Sequence, residues 1–139
     1  TIDGDLQNNP SDIPKMLTLY YETDFKLVGG IRKKRKDNFI KIISSYLANL
    51  IRKTILNDEC NDTGCSLKIF DRDIFLNFPF FDGMHRFLPA LYKGFGFKTF
   101  FIDVDHRKRY KGNSKYGTVT RLFWGIRDMY KVLKIIKNK

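Results

Sequence analysis

The chain has few of the residues from which small proteins build covalent or metal cross-links. It contains two cysteines and two histidines among 139 residues, and Cys60 and Cys65 form its single C-x4-C pair. One pair is too few for a disulfide scaffold, and no second cysteine pair completes a zinc site, although His85 and His106 follow further on. We therefore expect both cysteines to be reduced thiols.

Long apolar runs and a disorder-prone composition are also missing. No segment approaches the roughly 18 uninterrupted apolar residues of a transmembrane helix, and no signal peptide opens the sequence. With only four prolines, 42% apolar residues and 15% aromatic residues, the chain has the composition of a folded domain. Its length is sufficient for one domain with a core.

Acidic residues are nearly absent from the last quarter of the chain. Residues 106–139 carry 11 basic side chains and only Asp128, so they hold +10 of the formal net charge of +11. Such a block binds a polyanion, either nucleic acid phosphates or an anionic membrane leaflet. A smaller basic run occupies residues 32–36.

Hydrophobic periodicity predicts alternating helices and strands. The predicted helices cover residues 13–23, 39–57, 84–92 and 118–136, with a short one starting near Asp71. The predicted strands cover residues 25–30, 65–69 and 97–104. Ser11 or Asp12 is the expected cap of the first helix, and glycines 29 and 30 are expected to end the first strand. The order favours an α/β domain with a mostly parallel sheet and flanking helices.

The last predicted helix is amphipathic. At 100° per residue its apolar side chains fall in one arc of roughly 140°, with lysines and arginines beside it. Such a stripe either docks on the sheet or lies in the headgroup layer of a membrane, with Trp124 near its edge. Both interpretations can hold for different turns of the helix.

Two carboxylates and an amide are concentrated at the start of the chain. Asp3 and Asp5 follow the apolar Ile2, and a polar turn begins at Gln7. This pattern predicts the carboxyl end of a strand, the edge where α/β sheets bind ligands. Hard oxygen ligands suit Mg²⁺ or Mn²⁺, with water and phosphate completing the shell. The alternative is an Asx-type turn that caps the next helix.

Four segments together resemble one enzyme family. They are residues 3–10 (DGDLQNNP), 29–32 (GGIR), 61–68 (NDTGCSLK) and 109–116 (RYKGNSKY). In this order they resemble the polyprenyl-phosphate glycosyltransferases, inverting family 2 enzymes similar to dolichol-phosphate mannose synthase. The resemblance implies a GT-A (nucleotide-diphospho-sugar transferase) fold. It also implies sugar transfer from a nucleotide-sugar donor, of GDP-mannose or UDP-glucose type, to a polyprenyl phosphate at a membrane surface.

The resemblance also implies roles for individual residues. Asp3 and Asp5 would form the metal and donor-phosphate turn, with Gln7 as a further metal ligand. Asp62 would lie under the reacting sugar. In the basic loop, residues 109–116, Arg109 and Lys115 would close over the phosphates. Arg32 would also bind a phosphate, and Arg35 and Lys41 would face the lipid phosphate.

The expected acceptor is a phosphate rather than a sugar hydroxyl. Glycosyltransferases of the wider family that use a hydroxyl acceptor usually carry a Glu-Asp pair before a helix as general base, and the corresponding segment here, residues 81–86, lacks it. A phosphate monoester, with a second pKa of about 6, is already ionised near neutral pH. Asp82 or His85 as a base is the remaining alternative.

Compared with the family pattern, the chain corresponds to a C-terminal part. We expect residues 1–117 to be the C-terminal portion of an incomplete GT-A catalytic domain, and 118–139 to be a basic helix at the cytoplasmic face of a membrane with anionic lipid. Alone, such a fragment is expected to be inactive and to self-associate through an unpaired strand edge. Two competing interpretations are a nucleic-acid-binding module, favoured by charge and aromatics, and a non-catalytic subunit of a membrane assembly.

Overall fold

The computed structural model describes residues 1–33, 39–107 and 118–139. The helices are α1 (Ile13–Glu22), α2 (Phe39–Leu56), α3 (Arg72–Leu76), α4 (Leu88–Gly94) and α5 (Thr118–Lys137). The strands are β1 (Leu27–Arg32), β2 (Lys68–Phe70) and β3 (Thr99–Val104). Two short 3₁₀ turns cover Pro10–Asp12 and Met84–Arg86. The predicted order of helices and strands is confirmed.

The three strands form a mixed sheet in the order β2-β1-β3. β1 and β3 run parallel over their whole length, from Leu27 opposite Thr99 to Arg32 opposite Val104. β1 and β2 run antiparallel. The prediction of a mostly parallel sheet is therefore correct for one of the two strand pairs in the described part of the chain. Strand direction is set by how the connecting segment returns, which hydrophobic alternation does not encode.

The sheet is covered on both faces. Successive side chains of a strand point to opposite sides, so Leu27 and Val28 of β1 enter different cores. Val28 packs in a cluster with Met16 of α1. Leu27 packs in a larger, aromatic-rich cluster that includes Tyr92 of α4 and Val132 of α5. The result is an α/β arrangement with flanking helices, compatible with an incomplete GT-A fold.

Glycines 29 and 30 lie inside β1, so the prediction that they end the strand is wrong. A Cβ on Gly29 would lie 2.8 Å from the ring of Phe101. A Cβ on Gly30 would lie 2.8 Å from Cγ2 of Val104 and 3.0 Å from Sγ of Cys65. The glycines are needed because neighbouring side chains approach the β1 backbone closely.

The start of α1 also differs from the prediction. Asn9, rather than Ser11 or Asp12, supplies a capping side chain, since its Oδ1 accepts a 3.2 Å hydrogen bond from the Ser11 amide at the preceding 3₁₀ turn. Asp12 stands at the N-cap of α1 without a side-chain cap bond. Its carboxylate instead accepts a 2.8 Å hydrogen bond from the Asp105 amide. This bond ties α1 to the segment after β3.

The apolar stripe of α5 is divided between core and solvent. Val132 is fully buried, and Ile136 packs against the same core. Ile126 and Tyr130 are exposed to 56% and 72%. Docking on the protein therefore accounts for part of the stripe, as one of the two interpretations requires. Within the described residues, no helix combines the length and apolar character needed to cross a membrane.

An ion pair fastens α5 to the turn before α4. Arg86 Nη2 lies 2.9 Å from Oδ2 of Asp128, whose side chain is 3% exposed. Gly83, with φ of +85°, makes this contact possible, because a Cβ there would lie 2.6 Å from Arg86 Nη2. Lys131 also lies 3.5 Å from the Asp128 carboxylate. The single acidic residue of the basic tail is thus surrounded by cations.

We predict that Gly30→Ala lowers the free energy of unfolding by about 1 to 3 kcal/mol, because the added methyl group overlaps Val104 and Cys65 in a packed sheet. Gly125→Ala is the matched control: a Cβ at this α5 position meets nothing within 4 Å. Since alanine favours a helix over glycine by up to ~1 kcal/mol, this variant should be slightly stabilised. Urea unfolding measures both, and equal stability of the two variants would contradict the packing argument.

Candidate active site

Three segments meet at one edge of the sheet. We call them the acidic turn (residues 3–9), the cysteine segment (residues 60–68) and the β3 exit (residues 103–107). β1 and β3 are parallel, so both end at this edge, where Arg32 lies opposite Val104. The carboxyl ends of parallel strands are where α/β proteins bind ligands.

The acidic turn is closed by its own side chain. Oδ1 of Asp5 accepts a 3.1 Å hydrogen bond from the Gln7 amide, as in an Asx turn, and Leu6 between them has a positive φ of 61°. No strand is assigned before Asp3 in the described residues, so that part of the prediction is wrong. Thr1 nevertheless exchanges both backbone hydrogen bonds with Lys68, at 2.6 and 3.1 Å, which is the pattern of an antiparallel pair.

Ser66 joins the acidic turn to the cysteine segment. Its hydroxyl accepts a 3.2 Å hydrogen bond from the Asp3 amide and a 2.7 Å hydrogen bond from Nδ2 of Asn8. Asn8 is only 6% exposed. The turn is therefore fixed from the side of the sheet, which leaves the exposed Asp3 on the outer side.

The β3 exit lies against the other side of the acidic turn. The Arg107 amide donates a 2.8 Å hydrogen bond to the Gln7 carbonyl, and Nη2 of Arg107 donates a 3.0 Å bond to Oδ1 of Asn9. Nε2 of Gln7 lies 3.3 Å from Nε2 of His106. The last described residues before the predicted basic loop, His106 and Arg107, thus lie beside the acidic turn. Arg109 and Lys115 themselves lie outside the described residues.

Arg32 and Asp62 bind each other. Nε and Nη2 of Arg32 each lie 2.7 Å from one carboxylate oxygen of Asp62, and the Arg32 amide donates a third bond of 3.2 Å. The two side chains are 14% and 7% exposed. Gly64 leaves room for the guanidinium, since a Cβ there would lie 2.8 Å from Nη2 of Arg32. Two residues predicted to contact phosphate and sugar separately therefore form one forked ion pair.

Two further residues, Arg35 and Lys41, are predicted to bind phosphate. Arg35 lies outside the described residues. Lys41 belongs to α2, which begins at Phe39, seven residues after β1 ends. The roles assigned to these residues, and to Arg32 and Asp62, stay predictions.

A buried lysine lies behind the acidic turn. Lys68 is 4% exposed, and its ammonium donates a hydrogen bond to the Cys65 carbonyl. Burial lowers the pKa of Lys68, while the negative charges of Asp62 and Asp3 act in the opposite direction. Burial, followed by the charges of Arg86 and Lys68, likewise lowers the pKa of His85. The charges of Asp3 and Lys68 therefore both act on His85.

The two cysteines are free and are 1% exposed. Burial raises the pKa of both thiols and so disfavours the thiolate form that nucleophilic chemistry needs. Cys65 packs in the core with Val28. The cysteine segment therefore contributes Asp62 and the Ser66 hydroxyl, rather than a thiol, to this edge.

The acidic turn carries carboxylates of the kind that a hard divalent cation binds. Among residues 1–33, 39–107 and 118–139, no three histidine, cysteine, aspartate or glutamate side chains are grouped as a metal cage. Mg²⁺ does not require one, because it binds through one or two carboxylates plus water and phosphate oxygens. Asp3 and Asp5 supply such carboxylates. The side-chain contacts of Gln7 with His106 and with the Arg107 carbonyl use Nε2, whereas a hard cation would bind the side-chain oxygen Oε1.

Sequence reasoning found the acidic turn but missed its supports. Ser66, Asn8 and the pair His106-Arg107 hold the turn in place through hydrogen bonds across 58 to 100 residues of sequence. Asn8 and Ser66 lie inside two of the four motif segments, but no supporting role was predicted for them or for His106 and Arg107. The local sequence does not show which distant residues the fold brings together.

We predict a large energetic coupling between Arg32 and Asp62. Removing one partner leaves the other charge buried, so Arg32→Met or Asp62→Asn should each cost about 3 kcal/mol of unfolding free energy, and the double variant should cost less than their sum. A double-mutant cycle by urea unfolding measures this. The matched pair is Lys98 and Asp24, both 66% exposed, whose coupling should be close to zero. Equal couplings would show that the Arg32–Asp62 pair is not buried in solution.

Comparison with known proteins gives relatives along the whole chain. The chain is 38% identical to the dodecaprenyl-phosphate galacturonate synthase of Rhizobium johnstonii over 142 aligned residues, covering 100% of this chain and 42% of the relative. It is 36% and 33% identical to the undecaprenyl-phosphate 4-deoxy-4-formamido-L-arabinose transferases of Shewanella sediminis and Pectobacterium carotovorum, each covering 84% of this chain and 35% of the relative.

The chain thus spans less than half the length of these curated relatives. No protein-family model matches it, and no solved structure does. The names of these relatives share a polyprenyl phosphate and a sugar, as the sequence motifs predict. The resemblance is confirmed: over its length, this chain is homologous to part of the polyprenyl-phosphate glycosyltransferases.

Proposed function

We propose that this chain is the C-terminal portion of a GT-A catalytic domain that transfers a sugar from a nucleotide-sugar donor to a polyprenyl phosphate, with inversion and with Mg²⁺ or Mn²⁺. The observation that carries the proposal is the contact of Gln7 and Asn9 with Arg107. It holds Arg107, two residues before the predicted basic loop, against the acidic turn, which supports a site where acidic and basic groups bind one ligand.

The chemistry requires this combination of charges. Breaking the bond between sugar and diphosphate places negative charge on the leaving nucleoside diphosphate, and groups that meet this charge stabilise the transition state more than the ground state. Asp3, Asp5 and the amide oxygen of Gln7 would hold the divalent ion, which neutralises phosphate oxygens when bound. Arg109 follows Arg107 by two residues, so at most about 7 Å of extended chain separates these two residues.

The acceptor needs binding more than activation. A polyprenyl phosphate is ionised near neutral pH and can attack without a general base. The pairing of Asp62 with Arg32 supports this view, because a carboxylate that accepts three hydrogen bonds from one arginine is poorly suited to take up a proton. In the proposal Asp62 supports the surface under the sugar, while Arg35 and Lys41 bind the lipid phosphate.

The membrane side of the proposal concerns the basic tail. We propose that residues 118–139 lie against the cytoplasmic face of an anionic membrane, with Trp124, which is 42% exposed, near the interface. The guanidinium of Arg127 lies 4.1 Å from the centre of the Trp124 ring, so a cation and an aromatic group are presented together. This combination suits the headgroup region of a bilayer.

We predict that Asp5→Asn in the full-length protein lowers turnover about 100-fold or more, a loss typical of removing a transition-state electrostatic group. Asparagine can still accept the hydrogen bond from the Gln7 amide, so the turn is retained while the charge is lost. The measurement is transfer of radiolabelled sugar from a nucleotide donor to polyprenyl phosphate, with and without added Mg²⁺.

Asp73→Asn is the matched control, because that side chain is 87% exposed on α3. It should keep full activity. Unchanged turnover in folded Asp5→Asn, or activity that persists after chelation of divalent ions, would remove the metal turn from the mechanism.

We further predict that Arg109→Ala slows the transfer about tenfold to 1000-fold with little change in unfolding free energy, because the group acts on the leaving nucleoside diphosphate. Arg72→Ala, at a side chain that is 81% exposed, is the control and should be as active as the wild type. Thermal unfolding of both variants is the second measurement. A large fall in stability of Arg109→Ala would show a structural role instead.

A further inference from the structure

An open groove of about 520 Å³ lies between α5 and the loop after α3. Its apolar lining comes from Phe81, Phe95 and Ile135. Three lysines contribute to the same groove, namely Lys131, Lys134 and Lys139. The groove is distinct from the acidic turn in its residues, since no residue of the three active-site segments lines it.

Among the described residues, no aspartate or glutamate lines this groove, although Lys131 also lies 3.5 Å from the buried Asp128 carboxylate. The ammonium groups of Lys131 and Lys139 lie 5.7 and 5.8 Å from the ring centres of Phe81 and Phe95. Lys134 is exposed, and within the described residues it forms no ion pair. An apolar floor under several cations is complementary to an anionic amphiphile, not to a plain salt ion.

Exposed apolar side chains stand directly beside the groove. Phe80 is 87% exposed, and it lies between Pro79 and Phe81, which both line the groove. Leu76, at the end of α3, is 59% exposed. Water-facing groups of this size next to a cationic groove are typical of a surface that enters the boundary between headgroups and acyl chains.

We propose that this groove binds the phosphate headgroup of an anionic phospholipid in the bilayer surface, while Phe80 and Leu76 enter the acyl boundary. The proposal rests on the membrane attachment in the proposed function and deepens it, because it gives the protein a second contact with the membrane besides the exposed residues around Trp124. Two contacts fix the orientation of a protein on a surface, whereas a single helix leaves it free to rotate.

The first test compares lysines on one helix. Binding of the 139-residue chain to vesicles of phosphatidylcholine with phosphatidylglycerol is measured by co-sedimentation, with phosphatidylcholine vesicles as reference. Lys134→Glu should weaken binding about tenfold. Lys137→Glu changes the net charge equally on the same helix but lies outside the groove lining, and should weaken binding about twofold. Equal effects would overturn the groove as a binding site and leave only general attraction to the surface.

The second test concerns the exposed aromatic side chain. Phe80→Ser should weaken vesicle binding severalfold without loss of structure, because the ring is 87% exposed. Tyr21→Ser, at an α1 side chain that is 77% exposed, should not change it. Circular dichroism verifies the fold of each variant. Vesicle binding that is unchanged in folded Phe80→Ser, or full displacement of vesicles by duplex DNA, would also overturn the proposal.

These measurements separate the lipid groove from the transfer reaction. Vesicle binding is read without a sugar donor, so it is independent of catalysis. Asp5→Asn should bind vesicles as the wild type does, because its change lies in the acidic turn. If Lys134→Glu keeps wild-type vesicle binding while Asp5→Asn abolishes transfer in the full-length protein, the groove proposal fails and the proposed function stands. The reverse pattern rejects the metal turn and supports the groove.

Discussion

The parallel pairing of β1 with β3 is the constraint on which the candidate site depends. It brings Arg32 and Val104 to the same edge, although 71 residues separate them in sequence. From that edge the β3 exit continues onto the acidic turn, and Asp12 fixes its course through the Asp105 amide. Glycines 29 and 30 permit the pairing by leaving space over β1 for side chains of β3 and the cysteine segment. A local backbone requirement thereby determines where distant polar groups meet.

The buried charges at this edge lie next to charges of opposite sign. Arg32 neutralises Asp62, and the ammonium of Lys68 lies where Asp62 and Asp3 both act on it. Isolated charges of either sign would be costly in such surroundings, whereas offset charges are tolerated and hold their geometry. The exposed carboxylate of Asp3 stands at the outer end of this series. In the proposed function, the cation that arrives with the diphosphate would bind next to Asp3 and continue this arrangement of neighbouring opposite charges.

The sequence alone was sufficient for much of the fold and for the acidic turn. Long helices such as α2 and α5 repeat their apolar residues often enough to be recognised without tertiary information. The glycine pair of β1 was misjudged, because a strand end and a close approach of side chains both favour glycine. The pairing of Arg32 with Asp62 was also not predicted. A motif indicates which residue types a reaction uses, but not whether two of them first bind each other.

The carboxylate of Asp128 has a consequence for the behaviour of the last quarter of the chain. This group gathers Arg86, Arg127 and Lys131 around one nearly inaccessible position. Without it, α5 would approach Arg86 with positive charge alone, and mutual repulsion would oppose its return to the body of the protein. The Asp128 carboxylate thus adds an electrostatic tie to the buried contacts of Val132 and Ile136 that already hold this positively charged segment on the domain.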